Sequence, residues 1–201
     1  MMGNDKTKTE RTALSERTWN GMDYREDYYR GLGGIYFRRV LKMVIELGKL
    51  ETENGLILDF GCGVGHLKRV LGKNVMGFDI IQELSDVKDY RKLRPRVIVC
   101  NNVLEHFDLD KVEKTVQEFR KMKPDRIVTA TPTENWLSRV GMALTGENAA
   151  HSDHKSKLAD INRTIEKYCS LIERKRVMTM SEVSLWKFGG HMINKGCQTA
   201  I

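Results

Sequence analysis

Three glycines at alternating positions, Gly61, Gly63 and Gly65, stand between two acids, Asp59 and Asp79. Asp59 lies in the short apolar run Leu56-Ile57-Leu58-Asp59-Phe60, and Asp79 closes a second run, Val75-Met76-Gly77-Phe78. Glycines let the backbone turn sharply and let a ligand come close to the main chain. In a doubly wound sheet, ligands sit at the carboxyl ends of the strands, where the strand order reverses. An acid at the end of the strand after the glycine turn is placed to take two ribose hydroxyls. The pattern therefore points to a nucleotide or nucleoside site. It is not the dinucleotide fingerprint G-x-G-x-x-G, because Gly65 comes one residue early and position 66 is His. A nicotinamide dinucleotide is disfavoured on that ground.

Other polar residues gather downstream. Asn101 and Asn102 close a third apolar run, Val97–Cys100, and Glu105-His106 follow. Histidine titrates near neutrality, so His106 can take a proton from a substrate hydroxyl; the plainer reading has Glu105 and His106 brace the next helix. His151 and His154 sit three apart with Asp153 between them. At helical spacing they would share a face and could bind zinc, but the sequence offers no evident third ligand, and no metal is expected. They count instead as candidate catalytic residues in a loop over the substrate pocket, against the alternative of a solvated loop. Cys62, between glycines, reads as a small space-filler, since no neighbouring base or positive charge is evident to activate a thiol. His66 reads as a packing residue at a helix start.

The elements that must carry these residues follow from the apolar spacing. Ile35, Phe37, Val40, Leu41, Val44, Ile45 and Leu47 form a helical stripe ending near Gly48, with Gly33-Gly34 as a hinge or turn before it. Leu67, Val70 and Leu71 predict a short helix after the glycines. Strands are expected over Leu56–Phe60, Val75–Phe78, Val97–Cys100 and Arg126–Ala130, and a helix over Leu109–Met122. Further on, the spacing predicts a short helix over Glu134–Leu144, a loop over Gly146–Asp153, a helix over Leu158–Ile172, and strands over Val177–Met180 and Val183–Phe188. Short apolar strands alternating with helices argue a mostly parallel sheet covered on both faces.

The 201 residues suit one domain, 35–201, preceded by a polar segment, 1–34. Trp19, Tyr24, Tyr28, Tyr29 and Tyr36 give the N-terminal part of the chain an aromatic bias, fit either for a lid over the site, with Tyr24 and Tyr28 as its candidates, or for packing a helix onto the sheet. Four cysteines, Cys62, Cys100, Cys169 and Cys197, form no CxxC pair, so neither a zinc knuckle nor a disulfide scaffold is indicated and reduced thiols are expected. No apolar run approaches the ~18–20 residues of a membrane span, and the polar N-terminus has no signal-peptide core. A cytoplasmic protein with no membrane partner is expected. The net charge of +7, densest at Lys88–Arg96 and Glu173–Arg176, reads as a mildly basic soluble surface and secondarily as an RNA-binding one.

These segments carry a resemblance. LDFGCGVGHL (Leu58–Leu67) resembles the first motif of class I S-adenosylmethionine-dependent methyltransferases, and VMGFDI (Val75–Ile80) looks like the second. VIVCNNVLEHF (Val97–Phe107) and RIVTATPTENW (Arg126–Trp136) resemble the strand-four and strand-five segments of the methyltransferase type 11 branch. HSDHKSKLADI (His151–Ile161) is loosely similar to the segment opening the next helix there. The resemblance implies an α/β three-layer sandwich, a Rossmann-like, mainly parallel sheet ending in an antiparallel hairpin. It implies methyl transfer from S-adenosylmethionine with release of S-adenosylhomocysteine.

Residue by residue, the resemblance implies that Gly61, Gly63 and Gly65 pack against the methionine part of the cofactor. Asp59 would lie near its α-ammonium and Asp79 would hold the ribose diol. Asn101, Asn102 and Val103 would line the cofactor or substrate, and Cys62 and Ile80 count with the cofactor-binding residues. One departure stands out. Only 17 residues separate Asp79 from Val97, where the fold normally has a helix, a strand and another helix. The expected compromise is a reduced crossover with Asp86–Lys88 as a short strand, Asp89 (alternatively Asp86) reaching the adenine amino group and Tyr90 beside the adenine. The sequence Asn101-Asn102-Val103-Leu104 lacks an NPPY-like amide-methylating motif, which leans the acceptor towards a small-molecule or glycan oxygen. The rivals are a non-catalytic binding or partner subunit and an RNA-directed methyltransferase.

Overall fold

The computed structural model describes residues 18–19, 22–23, 31–72, 74–133 and 154–189. Strands β1 (Thr18–Trp19) and β2 (Met22–Asp23) pair antiparallel. Helix α1 (Gly31–Gly48) follows, then β3 (Ile57–Phe60), α2 (His66–Leu71), β4 (Val75–Phe78), β5 (Val97–Asn101), α3 (Leu109–Met122), β6 (Arg126–Pro132), α4 (Leu158–Glu166), β7 (Cys169–Val177) and β8 (Ser181–Phe188). Single 3₁₀ turns occupy Gln82–Leu84, Tyr90–Lys92 and Leu104–His106. Among the described residues no helix is long and apolar enough to cross a membrane.

Six strands form one sheet in the order β4-β3-β5-β6-β8-β7. The first four run parallel and β8 and β7 are antiparallel, so the expected mainly parallel sheet with a terminal hairpin is present. Side chains alternate between the two faces of a strand. Leu58, Phe60, Ile98, Cys100 and Ile127 face a core shared with Val112, Val116 and Phe119 of α3, Ile161 and Ile165 of α4, and Trp186. Ile57, Val97, Val99 and Val128 face a second core made with Val40, Leu41, Val44 and Ile45 of α1. The sheet is therefore covered on both faces, and a strand buried on both faces reads as a continuous apolar run. The buried Trp186 indole donates to Thr129 Oγ1 at 2.9 Å, so this large ring enters the core with its polar atom satisfied.

Four expectations need correction. Gly33-Gly34 lie within α1, not in a turn before it. Asp86–Lys88 form no strand, and the crossover from β4 to β5 holds only two 3₁₀ turns. The helix expected to run to Ile172 stops at Glu166, and Cys169–Val177 is the edge strand β7. Val177–Met180 is consequently the end of β7 and a turn, with Met178 and Thr179 at φ of 50° and 58°. The stretches 134–144 and 146–153, Tyr24, Tyr28, Tyr29, His151 and Cys197 lie outside the described residues.

The short crossover leaves β4 at the sheet edge, and its outward groups are taken up locally. Asp86 Oδ2 accepts from Gly77 N–H at 2.8 Å, and Asp86 N–H donates to Gly77 O at 2.9 Å. Ser85 Oγ accepts from Asp79 N–H at 2.7 Å and donates to Asp79 O at 2.8 Å. Ser85 and Asp86 thus do the pairing that a further strand would do, with both side chains and the Asp86 main-chain N–H.

Candidate functional site

The carboxyl ends of β3, β4 and β5 meet at one side of the sheet. The chain leaves β3 through the glycine turn. Gly61 N–H and Cys62 N–H both donate to Phe78 O, at 2.7 and 3.1 Å, and Gly65 N–H donates to Cys62 O at 2.9 Å. Gly61, Gly63 and Gly65 all have left-handed φ, of 77°, 49° and 79°, where an L side chain is strained. The two outer glycines differ in surroundings. A Cβ at Gly61 would stand 2.5 Å from Val103 Cγ2, whereas one at Gly65 would meet nothing within 4 Å. The loop is thus pressed against Val103 at one end and open at the other. Cys62 packs its thiol against Gly77, where a Cβ would come within 2.7 Å of the sulfur. Burial and the neighbouring Asp59, Asp79 and Asp86 push that thiol well above its usual range, which disfavours the reactive thiolate.

Asp79 braces the turn. Its Oδ2 accepts from Gly63 N–H at 2.9 Å and its Oδ1 from Ile81 N–H at 3.1 Å. Burial raises this carboxyl, opposed by the N–H groups of Ile81, Gly63 and Ile80. Each oxygen keeps a second acceptor position. Ile80, next in sequence, is 48 % exposed and offers an apolar surface beside the carboxylate.

Asp59 is 4 % exposed and opposite Gly77 and Val99 in the sheet register. Burial, then repulsion from Asp79 and Asp86, raises its carboxyl to about 7. A carboxyl whose folded value exceeds its unfolded one favours the fold at low pH, and that contribution is lost as pH rises through the folded value. Asp59→Asn is therefore expected to stabilise the ligand-free protein, with a gain growing by on the order of 1–2 kcal/mol between pH 5.5 and pH 8. Urea unfolding at the two pH values checks this; a pH-independent difference would show that Asp59 does not titrate in that window.

Asn101 ends β5, and Asn102 has φ of 52° with its N–H donated to Ala130 O at 2.9 Å. The side-chain Oδ1 atoms of both are buried and lack a hydrogen-bond partner among the described residues. An unsatisfied buried acceptor costs about 1–3 kcal/mol, so donors from a ligand could be accommodated at these two atoms.

The polar cluster beyond them is more ordered than its sequence suggests. Glu105 is 2 % exposed. Burial lifts its carboxyl to about 8, and its Oε2 has no partner among the described residues. Its backbone O accepts from Lys155 N–H at 2.8 Å and Ser156 N–H at 3.2 Å, and Ser156 Oγ donates to Phe107 O at 2.6 Å. That clamp carries His154 to His106, with ring centroids 5.3 Å apart and edge to face. One ligand atom from each of Glu105, His106 and His154 falls within 4.8 Å of the other two. His154 precedes α4 rather than lying on a helix. Sequence spacing paired it with His151 and missed Glu105 and His106 as its neighbours. Only the LEH triplet beside a later histidine hinted at the grouping.

Asp89 and Asp86 of the crossover both have local partners. Asp89 caps the Tyr90–Lys92 turn, accepting from Arg91 N–H at 3.2 Å and Arg91 Nε at 2.7 Å. Asp86 also takes Lys68 Nζ at 2.6 Å. Tyr90, expected beside the adenine, is buried among Phe60, Phe78 and Phe119, with its hydroxyl donated to Glu118. With no strand here, the aromatic fills the core.

No curated protein matches the chain in sequence. Among solved structures it is similar to magnesium protoporphyrin IX methyltransferase from Synechocystis PCC 6803 with bound S-adenosylmethionine. The identity is 15%, covering 94% of this chain and 100% of that one at a TM-score of 0.60. It is similar to the N-methyltransferase NodS from Bradyrhizobium japonicum WM9 in complex with S-adenosylhomocysteine, at 12% identity, 92% and 100% coverage and a TM-score of 0.60. It is also similar to the small RNA methyltransferase HEN1, at 18% identity and a TM-score of 0.55, covering 77% of this chain and 25% of that one. At these identities the likeness shows the fold. The family is shown by sequence: the Methyltransf_23 model, described as a methyltransferase domain, matches residues 32–176. A glycine turn braced by the acid of the next strand, at the carboxyl ends of a parallel sheet, is in this chain the local form of that domain, and the protein belongs to the methyltransferase-domain family.

Proposed function

We propose that the protein transfers the methyl group of S-adenosylmethionine to an oxygen of a small-molecule or glycan acceptor. The observation that carries this reading is the buried, partnerless Oδ1 pair of Asn101 and Asn102 next to a glycine turn held by Asp79. Donors from the ligand would satisfy the two amide oxygens, the free acceptor positions of Asp79 would take the ribose hydroxyls, and Asp59 would face the ammonium. When bound, the cofactor supplies an electrophilic methyl on a sulfonium and leaves as a thioether. The chain supplies alignment and an exit for the acceptor's proton. Asp59 ties binding to pH: neutral below about 7, it attracts a cation less, so cofactor affinity is expected to fall as pH drops through that range. Asp59→Asn would thus lose cofactor affinity under the conditions where it gains stability.

Calorimetric titration with S-adenosylmethionine, S-adenosylhomocysteine and NAD in parallel tests the reading. Micromolar binding of the first two and none of the third is expected, and absence of adenosyl binding would remove it. His106→Ala is expected to slow turnover at least tenfold with cofactor affinity nearly unchanged; a wild-type rate would make His106 structural.

A second reading, a non-catalytic binding subunit, is favoured by the crossover of two 3₁₀ turns. Cofactor binding without transfer to any acceptor in a broad screen would support it. RNA is the other acceptor class, suggested by the net charge of +7. RNA affinity falling steeply with salt, as counterion release requires, would favour it over a small molecule.

A further inference from the structure

We propose that Glu105, His106 and His154 form a site for one divalent cation on the acceptor side of the pocket. The geometry carries the proposal. The three residues come from two chain segments 48 positions apart, yet one ligand atom of each lies within 4.8 Å of the others. The approach is built, because the segment bearing His154 is fastened to the one bearing Glu105 and His106 by the Lys155, Ser156 and Phe107 hydrogen bonds. Glu105 is almost fully buried and its Oε2 has no partner among the described residues. A buried carboxyl oxygen without a hydrogen-bond partner is a costly arrangement that a cation would relieve.

The donor set suits the ion. Two imidazoles and one carboxylate fit zinc, manganese, iron or cobalt, not the all-oxygen sites of magnesium or calcium. Ligands about 2.1 Å from an ion stand about 3.4 Å apart in a tetrahedron, so small side-chain rotations would close the set. Three protein ligands leave a position open. Glu105 and His106 follow Asn101, Asn102 and Val103 in the chain, which would set the open position beside the acceptor end of the pocket. If the methyl-transfer reading holds, an acceptor hydroxyl would occupy it. The ion would lower the pKa of that hydroxyl, making it more acidic. Its O–H proton would pass to a solvent base, the O–CH₃ bond would form as the S–CH₃ bond breaks, and the sulfonium would become a thioether. His106 would then be a ligand and not the base.

The test uses the full chain, stripped with a chelator, dialysed, and titrated calorimetrically with Zn²⁺ and separately with Mn²⁺. The expected result is one ion per chain at micromolar affinity or tighter for at least one of the two. His154→Ala and Glu105→Gln should each weaken it at least tenfold, with S-adenosylhomocysteine affinity as the measure of an intact fold. Should Glu105→Gln fail to fold, the half-exposed His154 still decides the matter through His154→Ala. Binding of neither ion, or binding by folded variants as tight as by the wild type, overturns the proposal. Ion binding without S-adenosylhomocysteine binding would uphold the cation site and sink the methyl-transfer reading; the reverse result would do the opposite.

Discussion

Alanine at position 61 is expected to destabilise the protein by about 3 kcal/mol, from a left-handed φ plus overpacking. For a chain of this size that lowers the melting temperature by about 6–12 °C. Two effects act together. The residue sits at φ 77°, and the added Cβ would stand 2.5 Å from Val103 Cγ2 and 2.8 Å from its Cβ. Gly65 separates them, since it has φ 79° with open space around the missing Cβ. Gly65→Ala should therefore cost only the backbone share, about 1 kcal/mol. Val103→Ala in the Gly61→Ala background should restore part of the loss, because it removes the methyl contacts and leaves the φ strain and the 2.8 Å approach to the Cβ of residue 103. Thermal unfolding of the four proteins checks the whole series. A Gly61→Ala protein as stable as the wild type would mean that the turn rearranges freely and does not hold a fixed cradle.

Asp79→Ala should weaken S-adenosylmethionine by on the order of 1–3 kcal/mol, the range for losing charge-assisted hydrogen bonds. On the proposed reading, its direct share would come from the ribose hydroxyls. An indirect share comes from the loop, because the Gly63 and Ile81 N–H groups lose the acceptors that fix them. A third consequence is electrostatic. Asp79 is one of the charges holding the Asp59 carboxyl at about 7, so removing it should let Asp59 ionise at lower pH. The pH dependence of the remaining cofactor binding should move down with it. Calorimetry of the variant across pH 5.5–8 reads both effects. Unchanged affinity in a folded variant would sink the ribose assignment.

What the sequence made legible was local or periodic. Strand, glycine turn and helix lie within one short stretch, and the left-handed angles at Gly61, Gly63 and Gly65 are what glycine spacing encodes. Leu109–Met122 came out with its full span because Val112, Val116 and Phe119 keep a helical period against one core. The same period misled further on. Ile161, Ile165, Tyr168 and Ile172 continue it across a boundary that tertiary pairing sets, and Cys169–Val177 joins the sheet instead. β7 shows no clean alternation because its pairing slips between Leu171 and Glu173 and most of its side chains are exposed. An edge strand with a bulge has no simple signature. The resemblance expects Asp89, alternatively Asp86, at the adenine amino group; in the fold Asp86 also finishes a strand edge and Asp89 also caps a turn, which residue type alone does not reveal. The Glu105–His106–His154 cluster was illegible for a related reason. Its cohesion depends on main-chain bonds between segments far apart in sequence, which no spacing rule reports.

The finishing of β4 by Ser85 and Asp86 bears on how the protein behaves in a crowded solution. An exposed strand edge is a template for pairing with another molecule, and proteins blunt such edges with charge. Here the outward amide and carbonyl of Gly77 are already taken by Asp86, and an incoming strand would have to displace a carboxylate to reach them. The opposite edge carries Glu173, Arg174, Lys175 and Arg176 in succession. Both margins of the sheet thus resist edge-to-edge aggregation. A shortened crossover, which would otherwise have left a sticky border, leaves one that repels further strands.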